Sequence, residues 1–284
     1  MDASDKKIIE LRAEIEKLRL KTNVKEKLLG KTLREFEAIG DKLAQKQEEL
    51  RRLNAQLERA KDLLKQSFQR YVSAQIVEEI LQSSEPVNLR GQRKTVSILL
   101  SDIRGFTALS EQLEPEELVK FLNSYFSEMI DIIFEHEGTL DKFMGDAVLA
   151  LFGAPVTHED DALRAVSAAI AMQAKLHELN TAWRTDGKPN IKIGIGISTG
   201  EVVVGNIGSE RRMEYTVIGQ DVNYAQRIES LTKDLRADIL ISESTYEKIK
   251  EQVVVEKFGP LTIKGKKEPI TVYWVSGIKG LLLK

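Results

Sequence analysis

For about 60 residues from its N-terminus the chain repeats with a period of seven. Ile8, Ile15, Leu29, Phe36, Leu43, Leu50, Leu57 and Leu64 share one heptad position, interrupted only by Thr22. The position three residues on holds Leu11, Leu18, Ile39, Leu53 and Ala60, with polar Lys25, Thr32 and Lys46 between them. Glu, Lys, Arg and Gln fill the outer positions, so the pattern predicts a coiled coil. The competing reading is one amphipathic helix lying on its own domain. Such a helix would run about 90 Å at 1.5 Å per residue, longer than a domain is wide. Gly30 and Gly40 lower helix propensity in the middle of the run and predict fraying or a bend there.

After the heptads the chain changes character. A short helix is expected over 68–81, with Tyr71, Val72, Ile76, Val77 and Ile80 as its apolar side, and Ser83-Ser84-Glu85-Pro86 marks a boundary. Beyond it the periodicity alternates between two and 3.6. Strands are expected at 95–101, 139–143 and 147–152, the last two joined at Gly145-Asp146, a hairpin signal. Helices are expected at 115–137, where Pro115 suits a first turn, and at 159–183. Further strands are expected at 191–198, 201–204, 239–241, 253–258 and 271–275, and further helices at 221–231 and 243–251. The β-α-β-β-α-β order implies an α+β fold, a ferredoxin-like sheet with its helices on one face, preceded by the long coiled coil.

Composition excludes several classes. The net charge of −2 argues against a protein whose partner is nucleic acid. With no cysteine, disulfides and thiolate metal sites are ruled out. No apolar run approaches the roughly 20 residues of a membrane span, and the first residues lack the apolar stretch of a signal peptide. A cytoplasmic protein is expected, with an upstream sensor or receptor as the partner that such a coil commonly serves.

Two carboxylates stand out. Asp102 falls at the end of the first strand and Asp146 in the hairpin turn, and the split topology makes those strands neighbours. A carboxylate pair with no His or Cys nearby suits hard cations, Mg²⁺ or Mn²⁺. Taken alone, Asp146 reads as an ordinary turn residue; the pair beside a phosphate-sized turn at Arg104-Gly105-Phe106-Thr107 reads as a site. Asn223 and Arg227 lie four apart on an expected helix and so project from one face. By themselves they would be a polar cap residue and a surface ion pair. His136, His158 and His177 fall in no motif and read as ordinary helix or loop residues.

Val96-Ser97-Ile98-Leu99-Leu100-Ser101-Asp102-Ile103-Arg104-Gly105-Phe106-Thr107 resembles the first metal-binding segment of class III nucleotidyl cyclases. Asp141-Lys142-Phe143-Met144-Gly145-Asp146-Ala147 resembles their second, and the stretch from Tyr215 through Thr216, Gly219 and Asn223 to Arg227 their third. The resemblance covers about 93–275 and implies a cyclase domain at 93–284, a linker with a transducing helix at 68–92 and the coiled coil at 1–67. It implies two Mg²⁺ or Mn²⁺ held by Asp102, Asp146 and the Ile103 carbonyl. Lys142 and Thr216 match the pair that selects the base, Asn223 and Arg227 the residues that hold the ribose and stabilise the transition state, and Lys264 the lysine that grips the triphosphate. Gly105, Phe106 and Thr107 would line the phosphates. Gly194 departs from the pattern, since some animal cyclases carry an arginine there; that places more of the phosphate grip on Lys264.

The implied reaction converts ATP to 3′,5′-cyclic AMP and pyrophosphate at sites shared between the two protomers of a homodimer. Adenine presents an acceptor at N1 and a donor at its exocyclic amine; guanine inverts both. Lys142 can only donate and the Thr216 hydroxyl can accept, which favours adenine. The alternatives are a guanylate cyclase or a catalytically silent cyclase-like dimerisation module. A P-loop NTPase is excluded because no Gly-x-x-x-x-Gly-Lys-Ser/Thr occurs.

Overall fold

The structure, a computed structural model, describes residues 3–68, 91–185, 187–209, 211–262, 269–279 and 281–282. The chain divides into two compact units, 1–68 and 69–284. The helix expected over 68–81 and the Pro86 boundary lie outside the described residues.

The first unit is one helix, α1 (Ala3–Phe68). It runs unbroken through Gly30 and Gly40, so the expected fraying is not observed. Helix-forming Glu, Lys, Leu and Arg surround each glycine, and exposed pairs such as Lys31–Glu35 add i,i+4 support. The described heptad side chains lie open: Ile15 is 51% exposed, Phe36 68% and Leu57 65%. Burial within this unit therefore does not account for an apolar seam of that length.

The second unit opens with β1 (Gly91–Ile103), then α2 (Phe106–Ser110) and α3 (Pro115–Glu135). The hairpin β2 (Thr139–Met144) and β3 (Ala147–Phe152) comes next, then α4 (Asp161–Thr185). Beyond it lie β4 (Ile193–Ser209), β5 (Arg212–Ile218), α5 (Gln220–Leu235), β6 (Ile239–Ser242) and α6 (Glu243–Ile249). The chain closes with β7 (Val253–Leu261), β8 (Ile270–Ile278) and β9 (Leu281–Leu282). The strands form one sheet in the order β2-β3-β1-β4-β6-β8-β7, with β5 added on β4 and β9 on β8. Only β4 and β6 run parallel among the described pairs.

The expected β-α-β-β-α-β order is present, with three differences. The strands expected at 191–198 and 201–204 are one long strand, β4, because its extended ladder against β1 runs through Thr199 and Gly200 without a turn. Strand β5 is an addition to the expected set, although Met213-Glu214-Tyr215-Thr216-Val217 alternates apolar and polar residues as a half-buried strand should. The helices do not all share one face. Phe121, Tyr125, Met129 and Ile133 of α3 and the small residues Ala162, Ala165 and Ala169 of α4 pack on Leu99, Ile103, Ile193, Ile195 and Ile197. Helix α5 covers the opposite face, where Ala225 joins Ile98, Leu100 and Val204 and Ile228 joins Leu240 and Val272.

Alternate positions of β4 explain how α5 fits. Ile193, Ile195 and Ile197 face α3 and α4, while Gly194, Gly196, Ser198 and Gly200 face α5. A Cβ on Gly196 would stand 2.3 Å from the Glu229 nitrogen and 2.4 Å from the Ala225 oxygen, so helix backbone lies directly on strand backbone. Ser198 donates to Asp221 Oδ1 at 2.7 Å, pinning the first turn of α5 to the same strand.

Candidate active site

Asp102 is the penultimate residue of β1 and pairs with Gly194, which places it on the α5 face of the sheet. Strand β3 pairs with β1 on the other side, and the Gly145-Asp146 turn before it folds back towards Ile103. Gly145 has φ 70, a conformation that costs a residue without a Cβ little. The Ile103 amide donates to Asp146 Oδ2 at 3.2 Å, and the Asp102 carboxyl lies within hydrogen-bonding reach of Asp146. Burial and then the neighbouring Asp146 push the Asp102 pKa up to about 6, against the Ile103 amide, which pulls it down. Two carboxyl groups so placed resist joint ionisation, and a hard cation with oxygen ligands relieves that strain. Among the described residues no group of three or more His, Cys, Asp or Glu gathers around a cation position. The described side chains thus offer two carboxylates, leaving other positions around a cation for solvent or substrate oxygens.

The turn after β1 divides its residues. Arg104 points back into the fold, where its guanidinium donates to the Thr232 carbonyl at 3.2 Å and to that of Ala237, at the C-terminal end of α5. Gly105, with φ 75, reverses the chain into α2. Phe106 packs against the core, while Gly105 and Thr107 remain exposed at the surface.

Lys142 and Thr216 come together although β2 pairs with β3 and β5 with β4. Thr216 donates to Asp141 Oδ2 at 2.8 Å. The Lys142 ammonium lies 2.9 Å from Glu214 and 3.7 Å from Asp141 Oδ1. Partial burial works against the Lys142 charge, but Glu214 and Asp141 outweigh it and raise its pKa above the ordinary lysine value. Burial likewise raises the Asp141 carboxyl, with the Thr216 hydroxyl, the Lys142 ammonium and the Val217 amide opposing.

Asn223 and Arg227 lie on one side of α5 and line a pocket of about 480 Å³ with Gln220, Asp221, Tyr224, Glu243 and Ser244. Among the described residues neither side chain has a hydrogen bond or ion pair, and none joins this pocket to Asp102 or Asp146. Lys264 lies outside the described residues. The structure therefore brings Asp102, Ile103 and Asp146 together, brings Lys142 and Thr216 together, and leaves Asn223 and Arg227 as a third group.

Several residues of these groups were given no role by the sequence. Asp141 opens the second motif without one, and Glu214 stands just before the third in the alternating run of β5. Glu229, 9% exposed, is pushed up to about 7 by burial and then by Asp102 and Asp146, with the Arg104 guanidinium opposing. It lies one helical turn from Ala225 and faces the gap at Gly194, a position visible only once α5 is seated. His158 belongs to a surface network with Glu137 at 2.9 Å and Asp161 at 3.4 Å, and His136 bonds the Ile132 carbonyl of its own helix.

Residues 90–277 match the family model of the adenylate and guanylate cyclase catalytic domain. Adenylate cyclase 1 of Rhizobium meliloti is 33% identical over 230 residues, 81% of this chain and 34% of that protein. The adenylate cyclase of Anabaena cylindrica is 38% identical over 221 residues, 74% of this chain and 42% of its own length. The chain thus spans less than half of these relatives. Among solved structures, the guanylyl cyclase Cya2 superposes with a TM-score of 0.64 at 47% identity, covering 68% of this chain and 99% of that one. The adenylyl cyclase CyaB from P. aeruginosa gives 0.62 at 43%, covering 66% and 96%. With the sheet, the paired carboxylates and these matches in agreement, the chain belongs to the adenylate and guanylate cyclase family, its cyclase domain preceded by a long N-terminal helix.

Proposed function

We propose that this chain is an adenylate cyclase that converts ATP to 3′,5′-cyclic AMP and pyrophosphate as a homodimer. The observation that carries the choice of ATP is the polarity of Lys142 and Thr216, both held at Asp141: an ammonium that can only donate and a hydroxyl whose hydrogen is already given away. That pairing suits N1 and the exocyclic amine of adenine. The Rhizobium and Anabaena relatives carry the name adenylate cyclase. The 47% identity to a guanylyl cyclase makes GTP the second substrate to test.

In this reading the ribose 3′ oxygen attacks the α-phosphorus, the bond to the β-phosphate oxygen breaks, and the 3′ hydroxyl proton passes to solvent. Asn223 orients the ribose, and Arg227 neutralises charge developing on the α-phosphoryl oxygens. Gly105, Phe106 and Thr107 lie under the triphosphate and Lys264 binds its far end. Asp102, Asp146 and the Ile103 carbonyl would hold two Mg²⁺ or Mn²⁺, which when bound supply Lewis acidity and neutralise phosphate charge. The mutual repulsion of the two carboxyls supports that assignment.

The site is completed by a second protomer, with the carboxylate pair from one chain and Lys142, Thr216, Asn223 and Arg227 from the other. The separation of Arg227 from any carboxylate partner among the described residues supports this arrangement. The open heptad seam of α1 supports a coiled coil that pairs the protomers and couples them to an upstream sensor. Action in the cytoplasm is part of this reading; no helix among the described residues is long and apolar enough to cross a membrane. A silent dimerisation module is the weaker reading, because every residue of the motifs is present.

The test uses two variants, Asp102→Ala and Arg227→Ala, assayed with Mn²⁺ and ATP or GTP. Each alone should be nearly inactive. When they are co-refolded, about half of the dimers are mixed and each holds one intact site, restoring about a quarter of wild-type activity. No recovery despite demonstrated subunit exchange would refute the shared site, and a preference for GTP in the wild type would refute the adenylate reading.

A further inference from the structure

We infer that Asp141 is a positioning residue for base selection, which holds the Thr216 hydroxyl as a hydrogen-bond acceptor and so helps the site reject guanine. This rests on the reading that Lys142 and Thr216 contact the base.

A threonine hydroxyl alone is ambiguous. It carries one hydrogen and two lone pairs, so it can accept from the amine of adenine or donate to the carbonyl of guanine. Here its hydrogen is committed to Asp141 Oδ2 at 2.8 Å. The Asp141 side chain is 1% exposed, so water does not compete for that bond. An ionised carboxylate only accepts, which fixes the direction; burial raises the Asp141 carboxyl, and the Thr216 hydroxyl and the Lys142 ammonium oppose it in favour of the ionised form. Only lone pairs remain on Thr216 for a ligand. They match an exocyclic amine and oppose a carbonyl oxygen.

The backbone is built for this contact. The β2–β3 register shifts between Leu140 and Lys142, leaving Asp141 as the extra residue of a bulge. In a regular strand neighbouring side chains point to opposite faces, and a bulge re-aims them. Both Asp141 and Lys142 reach side chains of β5, Asp141 to Thr216 and Lys142 to Glu214. The bulge therefore delivers two consecutive residues to one side, the donor that reads N1 and the anchor that orients its companion.

The experiment measures kcat/KM for ATP and for GTP in the full chain, with Thr216→Val, Asp141→Asn and the double variant beside the wild type. Asn can present a donor or an acceptor to Thr216, so its hydroxyl is freed. Asp141→Asn should lower the ATP-to-GTP ratio by about tenfold, chiefly by improving GTP, the size expected for one mismatched buried polar contact. On the Thr216→Val background the same change should leave the ratio where Thr216→Val alone set it. A purely structural Asp141 would depress both substrates together and leave the ratio unchanged, which overturns the inference. If Thr216→Val itself fails to move the ratio, the reading of the base pair falls instead. Should Asp141→Asn not fold, Asp141→Ser also offers Thr216 a partner of either polarity and must lower the ratio likewise.

Discussion

Replacing Gly196 by alanine tests how helix α5 is seated. The added Cβ would lie 2.3 Å from the Glu229 nitrogen and 2.4 Å from the Ala225 oxygen, both backbone atoms of α5. Carbon-to-oxygen contacts in proteins settle at roughly 3.3–3.6 Å, so α5 must retreat by about 1 Å. It cannot do so by rotating a side chain, because neither obstacle is a side chain. Retreat loosens Ala225 and Ile228, both 0% exposed, and carries Asn223 and Arg227 with them. Overpacking at the upper end of its usual range costs about 3 kcal/mol. For a unit of this size that lowers Tm by roughly 6–12 °C. Activity should fall further than stability does, by about a hundredfold, since a displacement of about 1 Å in a positioning group has that effect. Gly40→Ala is the control: nothing lies within 4 Å of its added Cβ, and it should stabilise α1 by about 1 kcal/mol or less. Thermal unfolding and cyclic AMP production decide the matter. A Gly196→Ala protein that melts within about a degree of wild type and turns over normally would show that α5 does not lie on β4 as described.

The folded-state pKa of Glu229, about 7, lies above its ordinary 4.5, so the native state holds the proton more tightly. Its contribution is then full below about pH 4.5 and is lost as the pH rises through about 7, a loss of at most about 3 kcal/mol. Glu229→Gln should therefore gain stability relative to wild type by that order between about pH 4.5 and pH 8 in metal-free buffer; parallel denaturation curves at the two pH values would contradict the burial of this carboxyl. Deleting four residues of α1 around Leu50 breaks the heptad phase whereas deleting seven preserves it, so the first deletion should change basal cyclase activity more. Equal effects would reduce α1 to a tether.

The parts of the fold legible in the sequence are those set by local periodicity and by residues close along the chain. The hairpin at Gly145-Asp146 and helix α3 are readable because turn chemistry and a 3.6-residue repeat act over a few residues. The carboxylate pair comes from topology, since a split β-α-β-β unit makes the strands bearing Asp102 and Asp146 neighbours. Strand β5 escapes sequence reading although its alternation is visible, because short alternating runs compete with loop readings. Gly194 stands out in the sequence only as a departure from the family pattern. In the fold it belongs to the row of small residues that lets α5 approach β4, and its missing side chain leaves space for Glu229 and Thr232.

The residue types by themselves determined that this chain carries a long heptad helix and an α+β domain; Lys142 and Thr216 were marked only through the family resemblance. The tertiary structure decided what those groups touch. Lys142 and Thr216 are far apart in the chain, and no rule of local spacing says that one hydroxyl hydrogen will be claimed by Asp141. That outcome depends on a bulge in β2, on a strand added to the far half of β4, and on the exclusion of water where the two meet. Hydrogen-bond direction at a hydroxyl is set by its surroundings, and surroundings are made only when distant segments pack.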